Sequence, residues 1–187
     1  MAAVFAFLWC AYAGSALALA VDDCFGPAEQ AEGQYFTVCY SPRADVGLLL
    51  SSLNVSSFDK LLVGNSAQKQ TGFPAELGNA LDTLFLRVSE ILDMHLYSFH
   101  GKVKICRDYA QLNRIYRSFY NRDLNTQAFY AQEVNTIYIS EDNFKLEILG
   151  HEIAHAIMCN YFVVSPSVKI QEILAMYVEY QLRKSNQ

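Results

Sequence analysis

An α+β fold with a small mixed β-sheet backed by helices is what this sequence predicts, and three observations carry that expectation. Strand-like segments come early and alternate with helical patterns, and two helical segments in succession close the chain. At 187 residues the chain is long enough for one compact domain with a proper core and short for two. Its composition, 52% hydrophobic and 18% charged, belongs to the globular class and not to the disordered one.

The first twenty residues, MAAVFAFLWCAYAGSALALA, carry no charge and finish in Ala18-Leu19-Ala20, the small-x-small pattern of a signal-peptidase site. Acidic Val21-Asp22-Asp23 follows at once. Residues 1–20 therefore read as an export signal without the usual basic n-region, an uncleaved anchor being the alternative. Residues 21–187 are the single mature domain, expected outside the cytoplasm, secreted or periplasmic, with no later membrane span. Loss of the signal removes Cys10 and leaves Cys24, Cys39, Cys106 and Cys159, enough for two disulfides whose connectivity is open. A Cys106–Cys159 bond would tie the penultimate helix to the sheet. None of the four stands in a CxxC, so neither a redox motif nor a cysteine-rich zinc site is indicated. Asn54-Val55-Ser56 would accept a glycan in a eukaryotic secretory pathway. The formal charge of -5 and the lack of a Lys/Arg run exclude a nucleic-acid footprint.

Each element follows from its pattern. Gln34 to Tyr40 has strand composition and stops at Ser41-Pro42, where proline removes a ladder donor. Residues 43 to 75 show a short apolar patch, Gly47 to Leu53, without a clear period. From Glu76 to Leu96 the residues Leu77, Leu81, Leu84, Phe85, Val88, Ile91 and Leu92 recur at three- and four-residue steps, an amphipathic helix with Pro74 at its start. Lys102 to Cys106 alternates as a half-buried strand, and Arg107 to Tyr120 returns to a helical pattern whose Tyr116, Phe119 and Tyr120 read as a core stripe. Gln127 to Ala131 and Asn135 to Ser140 are strand-like and close enough for a hairpin or neighbouring strands. Asn143 to Cys159 and Ser167 to Lys184 are the closing helices, with Pro166 suited to the second one's start. His95 and His100 flank the end of the long helix and read as structural.

The penultimate helix carries His151-Glu152-Ile153-Ala154-His155, an HExxH. Positions i and i+4 stack on one helix face, so both imidazoles can reach one ion. Zinc takes neutral imidazole nitrogen readily, and a catalytic site needs only one further protein ligand beside two His, because one position is kept for water. Glu152 stands beside the metal as general base. Flanking Leu149, Gly150, Ala156 and Ile157 are uncharged, as a helix buried behind a site requires. Downstream of His155 there is neither His nor Asp, which eliminates the metzincin pattern and leaves Glu172 and Glu179 as candidates for the third ligand.

The run Lys169-Ile-Gln-Glu172-Ile-Leu-Ala175-Met-Tyr177-Val-Glu179 resembles the second glutamate helix of the gluzincins, the clan of thermolysin and the aminopeptidase N-like enzymes. Its peptidase-MA-like members read Glu-Gly-x-Ala-x-Tyr-x-Glu there; Ile173 stands in place of the Gly. The resemblance covers two helical motifs closely and, from Gln34 to Arg183, the order of elements loosely. It implies a zincin-like fold, one zinc ion per chain held by His151, His155 and Glu172, and a peptide or protein substrate hydrolysed by zinc-activated water. It also implies that Glu179 supports a histidine ligand and that the strand before the metal helix, or its edge neighbour, pairs with extended peptide. Larger gluzincins stabilise the oxyanion with a Tyr or His from a following domain. None is expected after Lys184, and Tyr177, Tyr161 and Tyr130 are the candidates within the chain. The rival expectations are a catalytically silent zinc-binding accessory or interaction domain of the same fold, and a metal-free structural protein.

Overall fold

A computed structural model describes residues 23–53 and 72–185. The expected signal at 1–20, with Cys10 and the Ala20 cleavage point, and the Asn54 glycan acceptor lie outside the described residues. In chain order the elements are β1 (Glu29–Glu32), β2 (Phe36–Tyr40), α1 (Val46–Leu53), α2 (Phe73–Leu92), β3 (Gly101–Cys106), α3 (Tyr109–Tyr120), β4 (Ala128–Ala131), β5 (Thr136–Ser140), α4 (Leu146–Tyr161) and α5 (Val168–Ser185). The protein is α+β. Its five strands form one mixed sheet in the order β1-β2-β3-β5-β4, with β2, β3 and β5 parallel to one another and both edge strands antiparallel to their neighbours.

Local chemistry explains the boundaries. Pro74 sits in the first turn of α2, where the missing N–H costs nothing, and Asp93 ends the helix in the left-handed conformation, its N–H bonded to Glu90 O. Asp108 caps α3 by accepting the Gln111 N–H at 2.7 Å, and Asn121, at φ 51, closes it. A short 3-10 turn, Gln132–Val134, and Asn135 at φ 46 join β4 to β5 as antiparallel neighbours. His100 is a fastener, bridging Gln34 O and Thr37 Oγ1 at 3.0 Å each.

Both sheet faces are covered. Phe36, Val38, Val103, Ile105, Ile137 and Ile139 point to the side of α1, α2, α4 and α5 and form the main core with Leu77, Leu81, Phe85, Leu149, Ile153 and Ile157. The opposite face is a smaller aromatic core under α3, built from Cys106, Leu112, Ile115, Tyr116, Phe129 and Tyr138. On that face Asp23 is buried, accepting from Lys104 Nζ and Tyr138 Oη at 2.5 Å each, and Gln111 Nε2 donates to Phe25 O at 2.8 Å, so the segment from Asp23 is pinned across the strands.

Two elements went unforeseen. The first strand, expected at Gln34, is preceded by β1, whose sequence Glu-Gln-Ala-Glu buries only Ala31 and has no strand composition to read. The Gly47–Leu53 patch is helical, α1, burying Leu49 and Leu53. The suggested Cys106–Cys159 bond is not made: Cys106 belongs to the aromatic core under α3, whereas Cys159 is on α4 across the sheet. Among the described residues no helix is long and apolar enough to cross a membrane.

The pairing that matters for chemistry is α4 with α5. Gly150 on α4 takes Leu182 of α5 against its backbone: a Cβ there would lie deep inside the van der Waals radius of Leu182 Cδ1, with Val178 Cγ1 at 3.7 Å. The absence of a side chain at Gly150 is what lets the two helices approach.

Candidate metal centre

The apolar residues of α4 (Leu149, Ile153, Ala156 and Ile157, all 0% exposed) hold the helix in the core, which turns His151, His155 and Cys159 along one face toward a cleft. The imidazole Nε2 atoms lie 3.3 Å apart. From α5, Glu172 brings Oε2 to 3.6 Å from His151 Nε2 and Oε1 to 3.5 Å from His155 Nε2. Ligand atoms of the three residues all fall within 4.8 Å of one another, a group that could hold a metal ion. For bonds of about 2.0–2.1 Å, tetrahedral angles separate neighbouring donors by about 3.3–3.4 Å, so the donor set and its spacing fit zinc.

The other two predicted residues of α5 part company. Glu179 lies two turns beyond Glu172 on the same face and brings Oε2 to 3.5 Å from His151 Nδ1, while Arg183 holds its other oxygen at 2.5 Å. Tyr177 is half exposed and does not line the cleft. Ile173, in the position where the resemblance has Gly, is likewise exposed on the outer side of α5. Of the other oxyanion candidates, Tyr161 is exposed and Tyr130 lines the cleft. The Tyr130 hydroxyl is engaged elsewhere, donating to Asn135 Oδ1 at 2.8 Å and accepting from Asn160 Nδ2 at 3.2 Å.

Glu152 is 8% exposed. Burial, then the negative charge of Glu172, pushes its carboxyl up to about 8, and the Tyr130 backbone N–H opposes the rise by donating to it. β4 is the edge strand of the sheet, and its Ala128, Phe129 and Tyr130 line the same cleft as the histidines. Burial, and then the neighbouring His151, hold His155 below the usual imidazole range, in the neutral form that ligates metal.

Sequence reasoning missed Gln171. Its Oε1 lies 3.4 Å from His155 Nδ1 and accepts from Cys159 Sγ at 3.7 Å, and its own amide donates to Pro166 O at 2.8 Å. An Nδ1–H donated to that oxygen leaves Nε2 as the lone-pair nitrogen, facing the cluster. The signal was available: Gln171 opens the stripe Gln171, Ala175, Val178, Leu182 that packs against α4, and it is the one amide in it. Also unforeseen is the far wall of the cleft, where Tyr116, Tyr120, Arg122 and Glu133 gather around a volume of about 390 Å³.

Comparison of the chain with protein-family models, with curated proteins and with solved structures gave no match.

Proposed function

We propose that this protein is a zinc-dependent peptidase of the gluzincin type with a zincin-like fold, acting outside the cytoplasm on peptide or protein substrates. One observation carries the reading: two imidazoles and a carboxylate from successive helices meet at the spacing of a tetrahedral zinc site, with a buried, proton-poised glutamate directly beside them. His151, His155 and Glu172 hold the ion; Glu179 and Gln171 orient the two imidazoles through their Nδ1 atoms. Zinc supplies a Lewis acid that polarises a carbonyl and makes water a better nucleophile. Glu152 accepts the proton from the attacking water and returns it to the leaving amine. β4, the edge strand beside the cleft, pairs with an extended substrate by its remaining main-chain groups and lays the scissile bond along the histidines.

The test combines metal and turnover. Purified chain should contain one zinc, lose it to a chelator, and cleave a peptide library; Glu152→Gln should abolish cleavage and leave the zinc content near one. Absence of zinc after metal reloading would end the proposal. A second reading, a silent zinc-binding accessory or interaction domain, is favoured by the engagement of the Tyr130 hydroxyl with two asparagines, Asn135 and Asn160, which turns that oxyanion candidate away from the task. It predicts full zinc loading with no cleavage by the wild-type chain.

A further inference from the structure

The far wall of the cleft carries a binding feature that metal chemistry does not use. Asn121 ends α3 in the left-handed conformation and folds the next residue back over the helix's last turn. Arg122 thereby lies across two tyrosines, its Cζ 5.7 Å from the ring centroid of Tyr116 and 5.9 Å from that of Tyr120. Its Nε donates to the Tyr116 hydroxyl at 3.0 Å. Tyr116 is itself buried, wedged edge-on against Phe129 of β4 at 5.0 Å, so the support under the guanidinium is rigid.

Among the described residues the guanidinium has no carboxylate of its own. The adjacent Asp123 is occupied by Arg117 and Asn113. Glu133, on the same wall, accepts from the Tyr120 hydroxyl at 3.5 Å, and among the described residues no acidic side chain comes within 4 Å of Arg122. Among the described residues Arg122 is also the only Lys or Arg lining the cleft, whose acidic residues are Glu133, Glu152 and Glu172. A planar cation held beside two aromatic rings and tied at Nε leaves its two terminal nitrogens to act together, the fork that takes a carboxylate bidentately.

We propose that Arg122 forms a carboxylate-binding subsite, so that the cleft selects peptides carrying a carboxylate on the α3 side of the scissile bond. The proposal rests on the peptidase reading for its substrate. A chain paired along β4 turns alternate side chains to opposite faces of the sheet. Those on the α4 face meet the metal cluster; those on the α3 face meet Phe129, Tyr120 and Arg122. The carboxylate is either an Asp or Glu side chain or the C-terminal group of a short peptide.

The experiment uses the full zinc-loaded chain and matched fluorogenic peptides with Glu or Gln scanned through each position, each with a free or an amidated C-terminus. Wild type should prefer one carboxylate by about 10- to 100-fold in kcat/KM, and Arg122→Gln should bring that ratio to near one. A preference that follows the scanned Glu identifies a side-chain carboxylate, and one lost on amidation identifies the C-terminal group. Arg122→Lys, which keeps the charge without the fork, should retain part of the preference, and Tyr116→Phe should lower it several-fold while the melting curve stays cooperative. The same peptides are titrated by anisotropy against inactive Glu152→Gln. If wild type proves not to cleave, a Kd preference for the carboxylate peptide that disappears with Arg122→Gln upholds the subsite while the peptidase reading falls. Equal affinity and equal cleavage of charged and neutral peptides by wild type, or a preference unchanged in Arg122→Gln, overturns it.

Discussion

Gly150→Ala is the change whose sign discriminates most sharply between a helix that merely contains HExxH and one that must meet α5 closely. In an exposed helix interior the substitution stabilises by about 1 kcal/mol, because alanine is the better helix former. At Gly150 the new methyl would fall far short of the roughly 3.5–4.0 Å that two carbons require from Leu182 Cδ1. Leu182 is 0% exposed, and Val178 stands beside it at 3.7 Å from the same Cβ position, so the leucine must re-orient its terminal methyl within a packed interior. Overpacking of this kind costs about 1–3 kcal/mol, which exceeds the propensity gain. The strain is relieved by moving α5 outward, and Glu172 travels with it. Metal sites tolerate about 0.2 Å of error in ligand distance, so a shift of a fraction of an ångström reaches the carboxylate. The expected outcome is a net loss of about 1 kcal/mol in urea melts of the metal-free chain and a larger proportional loss of zinc affinity by competition with a chromogenic chelator. Gly150→Ala with Leu182→Val should recover both in part, since the two sites touch. A Gly150→Ala chain that melts higher than wild type and binds zinc equally well would refute the argument that this contact sets the spacing of α4 and α5.

The residues behind the imidazoles give a graded series. Gln171→Leu and Glu179→Gln should each weaken zinc by about 10- to 100-fold, and Glu172→Gln by more than either, measured by the same competition; a larger loss for Glu179→Gln than for Glu172→Gln would exchange the roles of the two carboxylates. Asp23 yields a pH signature. Burial works to raise its carboxyl, but the bonds from Lys104 and Tyr138 outweigh it and hold the group below the usual 3.8. A lowered folded value means stability that is present above the unfolded value and lost as pH falls through the folded one. Asp23→Asn should therefore cost about 2 kcal/mol near neutral pH, less than a fully buried pair because Lys104 keeps 20% of its side-chain exposure. The difference from wild type should narrow as pH is taken to about 3 in the same melts. A gap that stayed constant with pH would show that Asp23 contributes through packing and not through its charge.

Most of the fold was legible where periodicity and composition agree. The three- and four-residue steps of Leu77, Leu81, Leu84 and Val88 are the buried face of α2, and the β-branched alternation of Thr136–Ser140 is a central strand. Boundaries moved where backbone conformation, not hydrophobicity, ended the element: α2 stops at Leu92 and not at Leu96, and β5 starts one residue after Asn135, because Asp93 and Asn135 take positive φ, a conformation that glycine would have announced and that these residues adopt without such a flag, whereas α3 ends at Tyr120 as expected. β1 was illegible for a different reason. Its strand character comes from pairing with β2, register Ala31 to Val38, on an edge where Glu29, Gln30 and Glu32 can stay in water.

The candidate site divides along the same physical line. His151, Glu152 and His155 could be read because helix geometry ties i to i+4 whatever lies around it, and Glu172 because few residues downstream can ligate a metal and the resemblance of its helix to the gluzincin one sets it before Glu179. Gln171 could have been read as the polar member of an apolar stripe. Arg122, Tyr116 and the Tyr130 N–H could not, since their relation to the histidines is created only when β4 takes the sheet edge and α3 covers the opposite face. The proposed metal ligands are concentrated in one helical repeat and one following carboxylate, whereas the wall proposed to choose a substrate is assembled from segments about 20 to 40 residues earlier. A chain can therefore declare its reaction in a motif while its specificity stays distributed over the fold, and variants at Arg122 and Tyr116 should change which peptide is taken without changing how tightly zinc is held.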